Sequence, residues 1–151
     1  MDAELFKIIS PMGSWILVII GWFFVRYDNN KRESRKELRN ELDSIIILID
    51  KIEEKAREYY KTPPGNSSGL ALEIKSSIKR LGMHIKRISD SDKKYEKCKE
   101  HLLEYRIHVT SNDFECSSRE PKPESHQIYI EIADSAINLQ DALENAFKSK
   151  K

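Results

Sequence analysis

An uninterrupted apolar segment lies near the start of the chain. Residues 8–25, IISPMGSWILVIIGWFFV, contain no charged side chain. A helix rises about 1.5 Å per residue, so this length can cross a hydrocarbon layer of about 30 Å. The acidic start at Asp2 and Glu4, with no small-residue cleavage site after Val25, argues against a secretory signal. We therefore predict a tail and transmembrane helix over residues 1–27. The predicted anchor residues are Trp15, Ile19, Trp22 and Phe23.

A basic cluster follows the apolar segment. Cytoplasmic flanks of membrane segments are enriched in Lys and Arg, and the leading tail offers little positive charge. The pattern predicts a single-pass protein of the cell inner membrane, with its N-terminus outside and its remaining chain in the cytoplasm. Anionic membrane lipid is the first predicted partner. The predicted headgroup contacts are Arg26, Lys31, Arg32, Arg35 and Lys36.

Three small residues share one face of the predicted anchor. Ser10, Ser14 and Gly21 fall close together on a helical wheel. Small residues let two helices approach closely, so this face is a candidate for packing in a homo-oligomer. It lacks a strict Gly-x-x-x-Gly pattern.

Beyond the basic cluster, apolar residues recur every three or four positions, which is the spacing of an amphipathic helix or a coiled-coil seam. Breaks occur at the Pro- and Gly-rich residues 62–69 and at residues 110–124. The fold class predicted for the chain is all-α: one N-terminal transmembrane helix and then, over residues 28–151, an antiparallel bundle of about four helices with a loop at 110–124. The predicted core positions include Leu42, Ile45, Ile49, Ile74, Ile78, Leu81, Ile85, Tyr105, Val109, Ile132, Leu139 and Leu143.

Composition narrows the possible partners. The chain has 151 residues, of which 34% are charged, and its formal net charge is only +1. A balance so close to neutral gives no general attraction to nucleic acid. Cys98 and Cys116 are expected to be free thiols in a reducing cytoplasm, whereas the reverse orientation would allow a disulfide between them.

Candidate chemistry is sparse. Cys98, His101 and Cys116 could together hold zinc if the loop folded back, but their spacing matches none of the usual ligand pairs. The chain has no phosphate-binding glycine loop, nucleophile elbow or His-Glu-x-x-His motif. We therefore predict that the protein is not an enzyme and uses no cofactor, metal or small-molecule substrate.

Arg119 and His126 form the one pair that is similar to a catalytic pattern. An Arg followed after six residues by His resembles the motif of the HEPN ribonucleases, whose fold is also a helical bundle. The resemblance implies that Arg119 binds phosphate and that His126 acts as acid or base. The intervening EPKPES lacks the polar residue that this family carries after the Arg, and its prolines favour a loop. A solvated loop is the alternative interpretation.

The layout of the chain, with the local text GWFFVRYDNNKRESRKELRNELDSI, resembles uncharacterised small bacterial single-pass membrane proteins with a cytoplasmic helical domain. Some of these are encoded near anti-phage defence genes. Our hypothesis is a membrane-anchored, non-enzymatic interaction or adaptor module that recruits a protein partner at the cytoplasmic face of the inner membrane. The alternative is an oligomeric membrane-perturbing effector in bacterial anti-phage defence.

Overall fold

The computed structural model describes residues 2–110 and 113–149, and within this range its regular elements are helices. Of the side chains in the first 28 residues, it describes those of Trp15, 18–23 and 25–27. The four α-helices are α1 (Asp2–Lys61), α2 (Ser68–Ser91), α3 (Cys98–Thr110) and α4 (Gln127–Lys148). Short 3₁₀ turns at Pro64–Asn66 and Lys93–Tyr95 connect them. The chain divides into two compact units, Met1–Asn40 and Glu41–Lys151.

The predicted transmembrane helix is wrong. Over the residues that the structure describes, no helix combines the length and the apolar character that a membrane crossing needs. A crossing of about 30 Å needs about 20 consecutive, mostly apolar residues in one helix. The fold class is therefore corrected to an all-helical chain without a spanning segment among its described residues.

The predicted helical bundle is confirmed, and it is formed by the second unit. Each helix buries one side at intervals of three and four residues, because that spacing returns a side chain to the same face. The fully buried positions include Leu42, Ile45, Ile49, Ile52, Ile74, Leu81, Ile85, Tyr105, Val109, Ile132, Leu139 and Leu143.

Contacts between side chains give the order of the helices. Residues 41–61 of α1 run antiparallel to α2, since Glu41 lies 3.5 Å from Arg87 while Lys55 lies 3.5 Å from Glu73. Gln140 of α4 donates to Asp50 of α1 over 2.7 Å. His108 of α3 lies 3.1 Å from the carbonyl of Glu131, which brings the end of α3 to the first turns of α4. The helices thus alternate in direction, as in an up-down-up-down bundle.

Local chemistry explains where the helices end. Thr62 donates its hydroxyl to the carbonyl of Glu58 over 2.8 Å, and Pro63 and Pro64 prevent α1 from continuing. The carboxylate of Asp92 accepts from the amide of Lys94 over 3.2 Å and begins the turn before α3. The last helix begins at Gln127, two residues later than the sequence indicated, and its N-cap is His126.

Two tyrosines of the core differ in whether their buried hydroxyl has a hydrogen-bond partner. Tyr105 donates its hydroxyl to the carbonyl of Ile49 over 3.0 Å and crosses the core to do so. The hydroxyl of Tyr95 is buried without a hydrogen-bond partner. Burial raises the pKa of Tyr95 to about 12, so this group is neutral at physiological pH.

Candidate functional site

The candidate site lies at the end of the bundle where α1 stops and the segment between α3 and α4 returns. Arg119 is the central residue of this segment, and only 3% of its surface is exposed. Its guanidinium donates to the carbonyl of Tyr60 over 3.2 Å, to the carbonyl of Thr62 over 2.8 Å and to Ser67 Oγ over 3.0 Å. It also lies over the ring of Tyr59, with Cζ 4.3 Å from the ring centroid. Arg119 is therefore enclosed by α1 and the turn before α2.

This arrangement completes the C-terminus of α1. The last carbonyls of a helix have no partner inside it and carry partial negative charge, which a cation stabilises. The carbonyl of Tyr60 accepts from both Arg119 and the backbone amide of Lys122, the latter over 2.8 Å. The ammonium of Lys61 also lies 2.7 Å from the carboxylate of Glu124, and both side chains of this ion pair are exposed. Arg119 thus acts as a structural cap, and the solvated-loop interpretation of this residue is wrong.

Residues 113–118 lie against the same helix end. Phe114 packs on Tyr59 with ring centroids 4.7 Å apart. Glu115 has a φ of 62°, which is uncommon for a residue with a side chain, and its amide donates to the Tyr59 hydroxyl over 2.8 Å. Partial burial opposes ionisation of Asp113, but the Lys122 ammonium at 2.9 Å outweighs it and lowers the pKa of Asp113. These contacts hold the segment in one position beside α2.

A groove of about 680 Å³ is formed between α2, α3 and this segment. Ile78 and Leu102 form its apolar floor together with Phe114. Its polar lining includes the cations Lys75, Lys79 and Arg106 and the single carboxylate of Glu115. The carboxylate of Glu115 lies 2.6 Å from the ammonium of Lys75. The groove thus joins an apolar base to an excess of positive charge.

The two cysteines are free and have opposite environments. Cys98 is buried, and burial raises the pKa of its thiol to about 11. Cys116 is exposed beside a second cavity, of about 430 Å³, which Tyr59 and Ser67 also line. A hydrogen bond with Ser118, with 3.1 Å between Sγ and Oγ, lowers the pKa of the Cys116 thiol. A thiol with a lowered pKa holds more of its reactive thiolate form near neutral pH.

The two thiols are therefore expected to react at different rates. In the native protein, a thiol reagent such as DTNB should modify Cys116 rapidly and should reach Cys98 only after denaturation. Ser118→Ala should slow the reaction of Cys116 at neutral pH, because it removes the hydrogen bond that lowers the pKa. The matched control is Ser117→Ala, which should leave the rate unchanged. Equal native reactivity of Cys98 and Cys116 would contradict the buried position of Cys98.

The structure does not bring together the three residues that were considered as zinc ligands, Cys98, His101 and Cys116. Among residues 2–110 and 113–149, no group of three or more His, Cys, Asp or Glu side chains could hold a metal ion. Cys98 begins α3, whereas Cys116 follows the other end of that helix. His101 Nδ1 instead lies 3.5 Å from the carboxylate of Glu104, one turn along α3.

The pair that resembles the ribonuclease motif is engaged with backbone groups. Arg119 caps α1, as described above, and His126 Nδ1 accepts from the amide of Ile128 over 3.2 Å at the start of α4. The prolines between them do form an irregular segment, as predicted. Both side chains therefore have a structural role that the sequence spacing alone did not indicate.

The residues predicted as anchor and headgroup contacts lie on the first unit. Trp15 is 69% exposed, Trp22 55% and Phe23 62%, and Ile19 is also exposed. The guanidinium of Arg26 lies 5.0 Å from the ring centroid of Trp22. The other four predicted headgroup contacts, Lys31, Arg32, Arg35 and Lys36, are exposed along the next turns of α1. Gly21 is exposed as well, whereas the side chains of Ser10 and Ser14 lie outside the described residues, so the predicted packing face stays a prediction.

Sequence reasoning missed the groove and the burial of Arg119. One signal was available: Tyr59 and Tyr60 are adjacent and lie just before two prolines. Two large aromatic side chains at the end of a helix indicate that another segment of the chain packs over that end. Comparison of the chain with protein-family models, curated proteins and solved structures finds no match.

Proposed function

We propose that the protein is a non-enzymatic interaction module that binds an anionic lipid surface through its first unit and a protein partner through its helical bundle. The observation that carries the lipid part is the large exposed aromatic and aliphatic surface of α1 directly before its basic cluster. Contiguous exposed apolar surface of this kind is typical of interaction sites.

Four of the exposed apolar residues of α1 form a face that suits a flat, apolar layer. Trp15, Val18, Ile19 and Trp22 recur at intervals of three and four, so they share one face of the helix. Tryptophan is enriched at membrane interfaces because its ring is apolar and its indole N–H can reach water. A helix face of this composition can insert among headgroups without crossing the bilayer.

The basic cluster supplies the charge complement. The chain from Arg26 to Arg39 carries six cations and only three carboxylates, those of Asp28, Glu33 and Glu37. Each cation close to an anionic leaflet contributes about 1 kcal/mol of attraction. The combination therefore favours anionic over neutral lipid, and the location predicted for it is the cytoplasmic face of the inner membrane.

Co-sedimentation of the full-length protein with vesicles tests this proposal. Vesicles of phosphatidylglycerol and phosphatidylethanolamine should bind the protein much better than phosphatidylcholine vesicles of the same size. Replacing Lys31, Arg32 and Lys36 together with glutamine should weaken binding about 100-fold, as expected for three lost cations. Added salt should weaken binding by the wild type, because it screens exposed charges.

The matched control carries the same change of charge in the bundle. Lys86, Lys93 and Lys97 are exposed lysines of the second unit, and their joint replacement by glutamine should leave vesicle binding nearly unchanged. Trp22→Ala should weaken binding to anionic vesicles, because it removes apolar contact without altering charge. Equal binding to neutral and anionic vesicles, or equal loss in the two triple variants, would contradict the proposal.

A further inference from the structure

The groove between α2 and α3 has a chemistry that restricts what it can bind. Its floor of Ile78, Leu102 and Phe114 is apolar, so an occupant must present an apolar surface to it. A Cβ added at Gly82, which also lines the groove, would approach no atom closer than Leu102 Cδ2 at 3.8 Å. This is an ordinary van der Waals distance, so a small side chain at position 82 would pack against Leu102, whereas a large one would extend into the groove.

The charges around the groove are unbalanced. Lys75, Lys79 and Arg106 face one carboxylate, Glu115, which leaves an excess of two positive charges. Lys75 and Lys79 are one helical turn apart on α2, while Arg106 lies across the groove on α3. Complementary charge selects partners and sets their orientation. The groove is thus suited to an anionic occupant with an apolar side.

We propose that this groove binds an acidic amphipathic helix of a protein partner, with its apolar side on the floor and its carboxylates at Lys75, Lys79 and Arg106. This inference rests on the proposed function of the bundle as the partner-binding unit. An amphipathic helix meets both requirements because residues at i, i+3 and i+4 share a face, so apolar and acidic positions separate onto adjacent sides. Two acidic residues one turn apart match the spacing of Lys75 and Lys79.

Glu115 would compete with an acidic partner for Lys75. Its carboxylate lies 2.6 Å from the Lys75 ammonium, and both side chains are about half exposed. A carboxylate of the partner that reaches Lys75 must replace Glu115 there. Glu115→Gln should therefore strengthen binding of an acidic helix, and the small contribution of exposed ion pairs predicts a change of about two- to fivefold.

Fluorescence anisotropy with the full-length protein tests the inference. The probe is a labelled helical peptide with leucine on one face and glutamate at i, i+4 positions beside it. Its matched partner has the same sequence with lysine in place of glutamate. The glutamate peptide should bind saturably and the lysine peptide at least tenfold more weakly. The double variant Lys79→Glu, Arg106→Glu should weaken binding of the glutamate peptide at least tenfold and should improve binding of the lysine peptide.

Matched variants separate the groove from general charge effects. Arg80→Glu with Lys86→Glu makes the same change of charge at two exposed positions of α2 that do not line the groove, and it should leave the affinity nearly unchanged. Gly82→Phe places a large side chain in the groove from α2 and should weaken binding of the glutamate peptide without a change of charge. Circular dichroism should show that each variant keeps its helical content.

Three results would overturn the inference: no saturable binding of the glutamate peptide, equal affinity for both peptides, or an affinity that the groove variants do not change. Displacement of the peptide by laurate at similar molar affinity would assign the groove to a small anionic amphiphile and would also overturn it. The vesicle experiment is separate, because the groove variants should still bind anionic vesicles. Failure of vesicle binding with intact peptide binding would reject the lipid part of the proposed function alone.

Discussion

Arg119→Met is expected to lower the free energy of unfolding of the bundle by about 3 kcal/mol. Methionine keeps an unbranched stem like that of arginine, but it has no guanidinium. The substitution therefore removes the hydrogen bonds to the carbonyls of Tyr60 and Thr62 and to Ser67 Oγ. It also removes the cation over the Tyr59 ring. Hydrogen bonds of charged groups contribute about 1.5–3 kcal/mol each, and buried acceptors left without partners add a desolvation cost. The amide of Lys122 still donates to Tyr60, which limits the loss.

Urea denaturation followed by circular dichroism measures this change. Tryptophan fluorescence is unsuitable, because Trp15 and Trp22 both lie in the first unit. Arg106→Met makes the same chemical change at an exposed residue and should alter the free energy of unfolding by less than about 0.5 kcal/mol. Arg119→Lys should fall between the wild type and Arg119→Met, since a single ammonium cannot replace the planar fork of donors. Equal stability of the Arg119→Met and Arg106→Met variants would contradict the capping role.

Leu81→Ala is expected to lower the free energy of unfolding by about 2–5 kcal/mol. Leu81 lies on α2 with none of its surface exposed, so its truncation removes apolar contacts and leaves a cavity in the core. Leu72 is on the same helix but is 67% exposed. Leu72→Ala is therefore a control with the same side chain and helix, and it should change stability by less than about 0.5 kcal/mol. Denaturant titration of the two variants and the wild type measures both changes.

The outcome for this pair checks the assignment of the bundle core directly. If the two substitutions lower the free energy of unfolding by the same amount, Leu81 is not packed in the way the structure shows. Helix propensity cannot produce the expected difference, because both variants exchange leucine for alanine within α2. The difference between them therefore measures burial alone.

Periodicity predicted most of the bundle. Ile45 and Ile49, which the spacing assigned to a buried face of α1, are in the core, as are Ile85 on α2 and Leu139 on α4. These predictions succeeded because amphipathic spacing is a property of the chain itself, readable before any helix meets another. The break at residues 62–69 was equally local, since consecutive prolines end a helix wherever they stand.

Long-range contacts decided the rest. Arg119 lies in a polar stretch of sequence, and nothing near it indicates that it caps a helix that ends 58 positions earlier at Lys61. The groove likewise depends on Lys75, Lys79 and Arg106 meeting across two helices, which neither helix specifies alone. The transmembrane prediction, which took residues 8–25 as one span, is wrong, because no helix among the described residues is long and apolar enough to cross a membrane.

The sequence by itself determined an all-helical chain, the faces that the helices of the bundle bury, the breaks between them and the apolar and basic composition of the first unit. These depend on residue type and spacing, which act over one or two helical turns. Only the tertiary structure decided that Arg119 is buried, that Glu115 lies against Lys75 and that a cationic groove with an apolar floor opens between α2 and α3. Such contacts join residues far apart in the chain, so they exist only once the helices have packed.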